Sequence, residues 1–201
     1  MRTLLQRVLK GRVLIDGEVI NEINKGYVIL LGISETDTDR QVNLIAEKTA
    51  NLRIMPDSDG KMNLSILQTG GEILVVSQFT LYADLSAGRR PSFLKSGNPQ
   101  RAEKLYELFI EKLKKAGIKK VVSGKFGAYM TVEIVNDGPV TILIDSDEFL
   151  KWLLIFLFGC RNEDKNRQKN YKNGRHNDNK SDHKFVISWV RGFLKQYSGI
   201  Q

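Results

Sequence analysis

Two short segments hold the residue types best suited to chemistry. Ser77-Gln78-Phe79-Thr80 sets two hydroxyls and a carboxamide at the end of the apolar run Glu72–Val76, and Asn136-Asp137-Gly138-Pro139-Val140-Thr141 leads into the β-patterned run Ile142–Asp145. Small, polar and proline residues at strand edges let a rigid sheet offer side chains and backbone groups to a ligand. The hydroxyls of Ser77 and Thr80 suggest a nucleophile, but a hydroxyl needs an adjacent base to act as one at neutral pH. The only histidines are His176 and His183 and the only cysteine is Cys160, so residues 1–150 contain none of either. A Ser-His-Asp or Cys-His arrangement within one chain is closed to that region, as are the His and Cys ligands of most zinc sites. No metal and no cofactor are expected. If an ester is cleaved at this strand end, backbone N–H groups aimed at a developing oxyanion are better candidates than a side-chain nucleophile.

The second segment reads first as a β-turn, because Asn-Asp-Gly-Pro combines strong turn formers. A proline where the next strand must begin is tolerated. Gly138-Pro139 is also a candidate cis peptide, since X-Pro bonds disfavour cis by only about 0.5–1 kcal/mol.

The chain has 201 residues and a net charge of +8. That excess is not spread evenly. Residues 1–150 carry 20 Lys/Arg against 19 Asp/Glu, whereas residues 151–201 carry 11 against 4. The basic character therefore belongs to the last fifty residues and says little about the rest. One cysteine excludes an intrachain disulfide and favours a cytoplasmic setting. Arg2, Arg7, Lys10 and Arg12 interrupt the N-terminal apolar pattern, so no signal peptide is expected.

The elements that must position these segments follow from periodicity. Thr3–Leu9, Arg12–Ile15, Val19–Ile23 and Tyr27–Ile33 alternate as short strands, with a hairpin dipeptide at Asp16-Gly17. Val42, Ile45, Ala46 and Thr49 then fall at helical spacing behind a Thr38 or Asp39 cap. Leu64–Leu67 reads as a short edge strand before Gly70-Gly71. Ile73–Val76 is apolar throughout, which suits a central strand covered on both faces. Asn98 caps a second helix with Pro99 at its first position, and Ala102, Leu105, Leu108, Phe109, Leu113 and Ala116 form its inner stripe. Lys119–Val122, Ala128–Val135 and Val140–Asp145 complete an α/β domain. The expected architecture is antiparallel β-sheets with two packed helices.

Ser77–Asp84 (SQFTLYAD), the following Gly88–Phe93 (GRRPSF) and the distant Asn-x-Gly-Pro-x-Thr together resemble the D-aminoacyl-tRNA deacylases, over residues 1–150. The resemblance implies a three-layer α/β/β homodimer that hydrolyses the ester between a D-amino acid and the terminal adenosine of tRNA. Ser77, Gln78, Phe79 and Thr80 would form the catalytic group. Gly138 and Pro139, joined by a cis bond and supported by Asn136 and Thr141, would direct two carbonyls into the partner subunit's pocket. There they would leave room for hydrogen on the substrate Cα but not for an L side chain. Glycine would escape this filter, which implies action on glycyl-tRNA as well. Phe126, Gly127 and Met130 would pack against the adenine, and Arg89 and Arg90 would meet tRNA phosphates. A related proofreading deacylase of altered specificity and a non-catalytic tRNA-binding module are the alternatives.

Residues 151–201 fall outside the resemblance. The apolar run Trp152–Phe158 is far short of the roughly 20 residues of a membrane-spanning helix, so no membrane partner is expected. Residues 161–183 contain six asparagines and many lysines, a composition expected to be disordered. This basic extension could be an arm for tRNA, a surface-lying amphipathic segment, or a read-through extension without function. The abrupt change of composition favours the last.

Overall fold

A computed structural model describes residues 1–149 of the chain. The expectations for residues 151–201 lie outside the described residues. Among the described residues no helix is long and apolar enough to cross a membrane.

The first strand, β1 (Arg2–Ile15), is one bent strand and not the two short ones its sequence suggests. Its N-terminal half pairs with β3 (Gly26–Gly32) and its C-terminal half with β2 (Glu18–Ile23). Gly11 lies where the pairing changes over, and a Cβ there would lie 2.5 Å from Cγ2 of Val28. After β3 comes α1 (Asp39–Asn51), capped by Thr38 in a reciprocal box with Gln41. Val42, Ile45, Ala46 and Thr49 are all buried, as their spacing demands.

A small two-stranded ladder of β4 (Met55–Pro56) and β5 (Met62–Leu64) follows. The edge strand expected at Leu64–Leu67 does not form. Ser65 and Gln68 cap each other's backbone, and Gly70 closes the turn in the left-handed region, so Ile66–Thr69 is a short helix, α2.

Next come β6 (Glu72–Ser77), a 3-10 turn over Phe79–Tyr82, α3 (Pro99–Lys115), β7 (Val121–Ser123) and β8 (Thr131–Asp145). In α3 the inner stripe is Ala102, Leu105, Tyr106, Phe109 and Leu113, with Leu108 partly buried and Ala116 exposed.

The main sheet has the order β2-β1-β3-β6-β7, with β8 on the free side of β1. Pairings among β1, β2, β3 and β8 are antiparallel, but β6 runs parallel to both β3 and β7. The wholly antiparallel expectation is thus corrected to a mixed sheet. The physical reason is connectivity: β3 reaches β6 through α1, and β6 reaches β7 through α3, and a strand-helix-strand crossover delivers parallel neighbours. Four consecutive residues of β6, Ile73–Val76, are buried, as a central strand covered on both faces requires.

The sheet curls until its ends meet, with Asn21 Nδ2 on β2 donating to the Ser123 carbonyl on β7 at 2.8 Å. Val8, Val13, Ile23, Val28, Leu74 and Val76 form one apolar cluster. A larger cluster joins the sheet to α1 and α3 through residues such as Tyr27, Ile29, Ile45, Phe109 and Leu113.

Candidate active site

The strand order places Ser77-Gln78-Phe79-Thr80 where parallel β6 ends. Ser77 is the last residue paired with β3, and the Gln78 amide donates to the Leu31 carbonyl at 2.8 Å. The chain then tightens into the 3-10 turn. The four successive carbonyls from Gln78 to Leu81 are occupied. That of Gln78 accepts from the Leu81 amide at 3.3 Å and that of Thr80 from the Ala83 amide at 3.0 Å. The Phe79 carbonyl accepts from Ser96 Oγ at 3.1 Å, and the Leu81 carbonyl from Arg2 Nη1 at 3.0 Å. The amides of Phe79 and Thr80 have no acceptor among the described residues. Both residues are exposed, and the Gln78 carboxamide donates to the Thr80 hydroxyl. The Phe79 ring stands edge-on to Phe93, with centroids 4.9 Å apart.

Two more segments gather at this end of the sheet. Gly124 donates to the Val75 carbonyl at 2.9 Å, so the 124–130 turn starts beside the last residues of β6. Phe126 is partly buried against Tyr106, 5.7 Å between centroids, and Met130 belongs to the cluster inside the curl. Gly127 is exposed at the tip of that turn, with φ +71°. Arg89 and Arg90 are exposed in the loop that Asp84 and Ser92 close with paired backbone bonds. Lys95 bonds Asp84 at 2.7 Å and holds its carboxyl far below the usual range. In parallel sheets, ligands are held outside the carboxyl ends of the strands, where all these residues lie.

The second motif is elsewhere, and it is not the chain reversal that its composition suggests. β8 runs past it unbroken. Asn136 pairs with Val8 and Thr141 with Gln6, so the single β1 residue between them, Arg7, faces four residues of β8. Asp137, Gly138, Pro139 and Val140 are therefore extruded as a bulge, and Asn136 and Thr141 are the paired residues closing it on either side. The Gly138-Pro139 bond is cis. Arg7 anchors the bulge from below: Nε lies 3.3 Å from the Asp137 carbonyl and 3.1 Å from its carboxylate, while Nη1 donates to the Ile54 carbonyl at 2.7 Å.

Within one chain the two motifs stay apart. The bulge faces Arg7, which is in register with Tyr27 and through it with Ile73, four residues before Ser77 on the third strand over. Strand spacing and rise make that roughly 20 Å along the sheet.

The family model for D-Tyr-tRNA(Tyr) deacylase matches residues 4–145. The chain belongs to that deacylase family. A relative from Thermosipho melanesiensis named D-aminoacyl-tRNA deacylase is 51% identical over 146 residues, covering 73% of this chain and 97% of the relative. One of the same name from Brevibacillus brevis is 49% identical and covered completely. A solved structure named c-Myc DNA Unwinding Element Binding Protein superimposes with a TM-score of 0.69 at 41% identity, spanning 72% of this chain and 98% of that one. A probable eukaryotic D-amino acid tRNA deacylase shares the fold, with a TM-score of 0.63 at 19% identity.

In this deacylase-family chain the sequence reading missed the residues that brace the motifs. Arg7 looked like a charge breaking an apolar run, although its place after Thr3 and Leu5 on alternate positions put it on an inward face. The contacts of Ser96, Phe93 and Arg2 with the turn are not written in any local spacing, because each reaches it from a distant part of the chain.

Carboxylates at both ends of the deacylase sheet link stability to pH. Burial pushes the Asp145 carboxyl up, but the Asp147 amide and the Arg2 guanidinium outweigh it and hold the group below the aspartate range. Burial opposes ionisation of Glu72 as well, and the Asn24 amide and Lys120 more than offset it. Carboxyls lowered by folding bind more protons in the unfolded state, so their stabilisation is present above the unfolded pKa and lost as pH falls through the folded one. Urea midpoints should be flat near neutrality and fall below about pH 4.5. A midpoint that rises on acidification contradicts this account.

Proposed function

We propose that this protein hydrolyses the ester of D-aminoacyl-tRNA, releasing the free D-amino acid and tRNA, and that glycyl-tRNA, including glycine mischarged on alanine tRNA, is also a substrate. The observation that carries the proposal is the strand-end turn in which the carbonyls of Gln78 to Leu81 are engaged while the exposed Phe79 and Thr80 have amides with no acceptor among the described residues. Two successive amides without acceptors suit a developing oxyanion, where one such donor is worth about 10²–10³ in rate.

Water attacks the ester carbonyl carbon and the bond to the ribose 3′ oxygen breaks. The neighbouring ribose 2′-OH shares the proton transfer that delivers the leaving oxygen its hydrogen. No side chain of Ser77-Gln78-Phe79-Thr80 is asked to act as nucleophile, and none titrates near neutrality. Thr80→Ala should therefore keep single-turnover release within about tenfold of wild type, well short of the roughly 10⁶-fold cost of removing a true hydroxyl nucleophile. A loss on that larger scale would reinstate Thr80 as nucleophile.

Chirality is read by the bulge of a second copy. The separation of the motifs within one chain, together with the outer edge of β8, which has no partner strand among the described residues, and its exposed Val135 and Leu143, supports a homodimer in which Gly138 and Pro139 complete the partner's site. The α/β/β layering belongs to this same reading. The bulge carbonyls reject an L side chain by clash and admit hydrogen, so discrimination needs few favourable contacts. The adenine sits against Phe126, Gly127 and Met130, and the forks of Arg89 and Arg90 meet phosphates.

The name of the 41%-identical structure raises a non-catalytic nucleic-acid-binding reading. The charge balance of residues 1–150 speaks against it, since a pure binder concentrates basic residues on one face. Single-turnover release from D-Tyr-tRNA and L-Tyr-tRNA, measured side by side, is the test. Release of D alone is expected. Release of neither with tRNA still bound overturns the enzyme in favour of the binder, and release of both, or of L-alanine from its tRNA, overturns the chirality filter.

A further inference from the structure

The 3-10 turn is braced from an unexpected direction. Arg2 and Asp145 face each other in the β1–β8 ladder, at the end where that ladder reaches the turn. Arg2 Nε donates to Asp145 Oδ2 at 2.8 Å and Nη1 donates to the Leu81 carbonyl at 3.0 Å. The guanidinium carbon lies 4.6 Å from the centroid of the buried Tyr82 ring. One planar group thus touches β8 and two residues of the turn at once. Asp145 is itself held, accepting from the Asp147 amide at 3.0 Å.

We propose that Arg2, fixed by Asp145, is a positioning residue for ester hydrolysis: by holding the Leu81 carbonyl it sets the direction in which the Phe79 and Thr80 amides point. This rests on reading those amides as the oxyanion site. In a 3-10 turn the carbonyls point toward one end and the amides toward the other, so a tether on the Leu81 carbonyl, next to the end of the turn, constrains its tilt. Ser96 on the Phe79 carbonyl supplies the second fixed point. With two carbonyls anchored to different elements, the free amides cannot swing without breaking a charge-assisted bond. Preorganised donors are effective because they need no reorganisation when charge develops.

The test uses the full-length protein and D-Tyr-tRNA under single-turnover conditions. Arg2→Gln is expected to lower the rate constant at saturating protein about 10- to 100-fold, the scale of a small misplacement of reacting groups. The half-saturating protein concentration and its dependence on salt should stay at wild-type values. Arg2→Lys, which lacks the fork, should fall between. Asp145→Asn should act in the same direction, and the Arg2→Gln, Asp145→Asn double variant should be no slower than Arg2→Gln alone, because both remove one device.

A rate constant within twofold of wild type overturns the proposal. So does a defect confined to half-saturation with a shallower salt dependence, which would make Arg2 a phosphate contact instead. If Arg2→Gln does not fold, Arg2→Lys and Asp145→Asn decide by the same criteria. Wild-type protein that releases no D-tyrosine overturns the proposed function itself, a result distinct from an active wild type indifferent to Arg2.

Discussion

Replacing Gly138 by alanine is expected to slow release of D-tyrosine from its tRNA by about 100-fold, with the protein still folded. Gly138 has φ +118°, where an L side chain is strained, and an added Cβ would lie 2.9 Å from Val140 Cγ2 and 3.1 Å from Arg7 Nη2. The neighbours cannot both yield. Val140 is the last residue of the bulge before the paired Thr141, and Arg7 is buried and bonded at both ends. The bulge itself must therefore shift, moving the carbonyls proposed to line the partner's pocket. A suitable control is Gly17→Ala, which also places a side chain at positive φ (+85°) but meets nothing within 4 Å. It should carry a comparable backbone cost of about 1–2 kcal/mol without affecting turnover. Equal rates for Gly138→Ala and wild type on D- and L-Tyr-tRNA would remove the bulge from the mechanism.

The second large effect is expected at Arg7. Arg7→Met keeps much of the side-chain volume but strips the Ile54 carbonyl and the Asp137 carbonyl and carboxylate of their donor. Removing one partner of a buried pair costs about 3–5 kcal/mol in general. Asp137 is one-third exposed and regains water, so a loss near 2–3 kcal/mol is more reasonable here. Urea unfolding reads that part. Because the same guanidinium anchors the bulge, D-specific release should also drop by about 10²-fold at temperatures where the variant is folded. Asp137→Asn, which leaves both carbonyl contacts in place, should be much milder in both respects. A variant at Arg7 that loses stability but retains full D-specific rate would show that the anchor serves folding alone.

Both residues show where sequence reasoning stopped. Gly138 was singled out from Asn-Asp-Gly-Pro, but as part of a turn ending one strand and beginning another. Turn composition is local, whereas the pairing that carries β8 straight past the motif is set by β1, more than a hundred residues away. Whether four residues reverse the chain or bulge from it depends on which strand lies opposite. Arg7 reads in the sequence only as a charge that interrupts an apolar pattern, for the converse reason: a lone arginine in an alternating strand gains meaning only when its partner across the sheet is known. At Leu64–Leu67 the apolar pattern points to a strand, but Ser65 and Gln68 stand at capping-box spacing and their end-group hydrogen bonds make the segment a short helix.

The sequence by itself determined a good deal. Periodicity marked α1, α3 and buried β6, and caps placed the starts of both long helices, because 3.6- and 2-residue periods and end-group hydrogen bonds are local properties. The absence of histidine and cysteine from residues 1–150 excluded a side-chain triad before any fold was known. Tertiary structure alone decided the parallel pairing of β6, since crossover topology is a global matter. It also decided that, among the described residues, the Phe79 and Thr80 amides have no acceptor while the carbonyls of Gln78 to Leu81 are taken. That pattern depends on Arg2 and Ser96, which reach the turn through space from different parts of the chain, and no spacing along the chain encodes contacts of that kind.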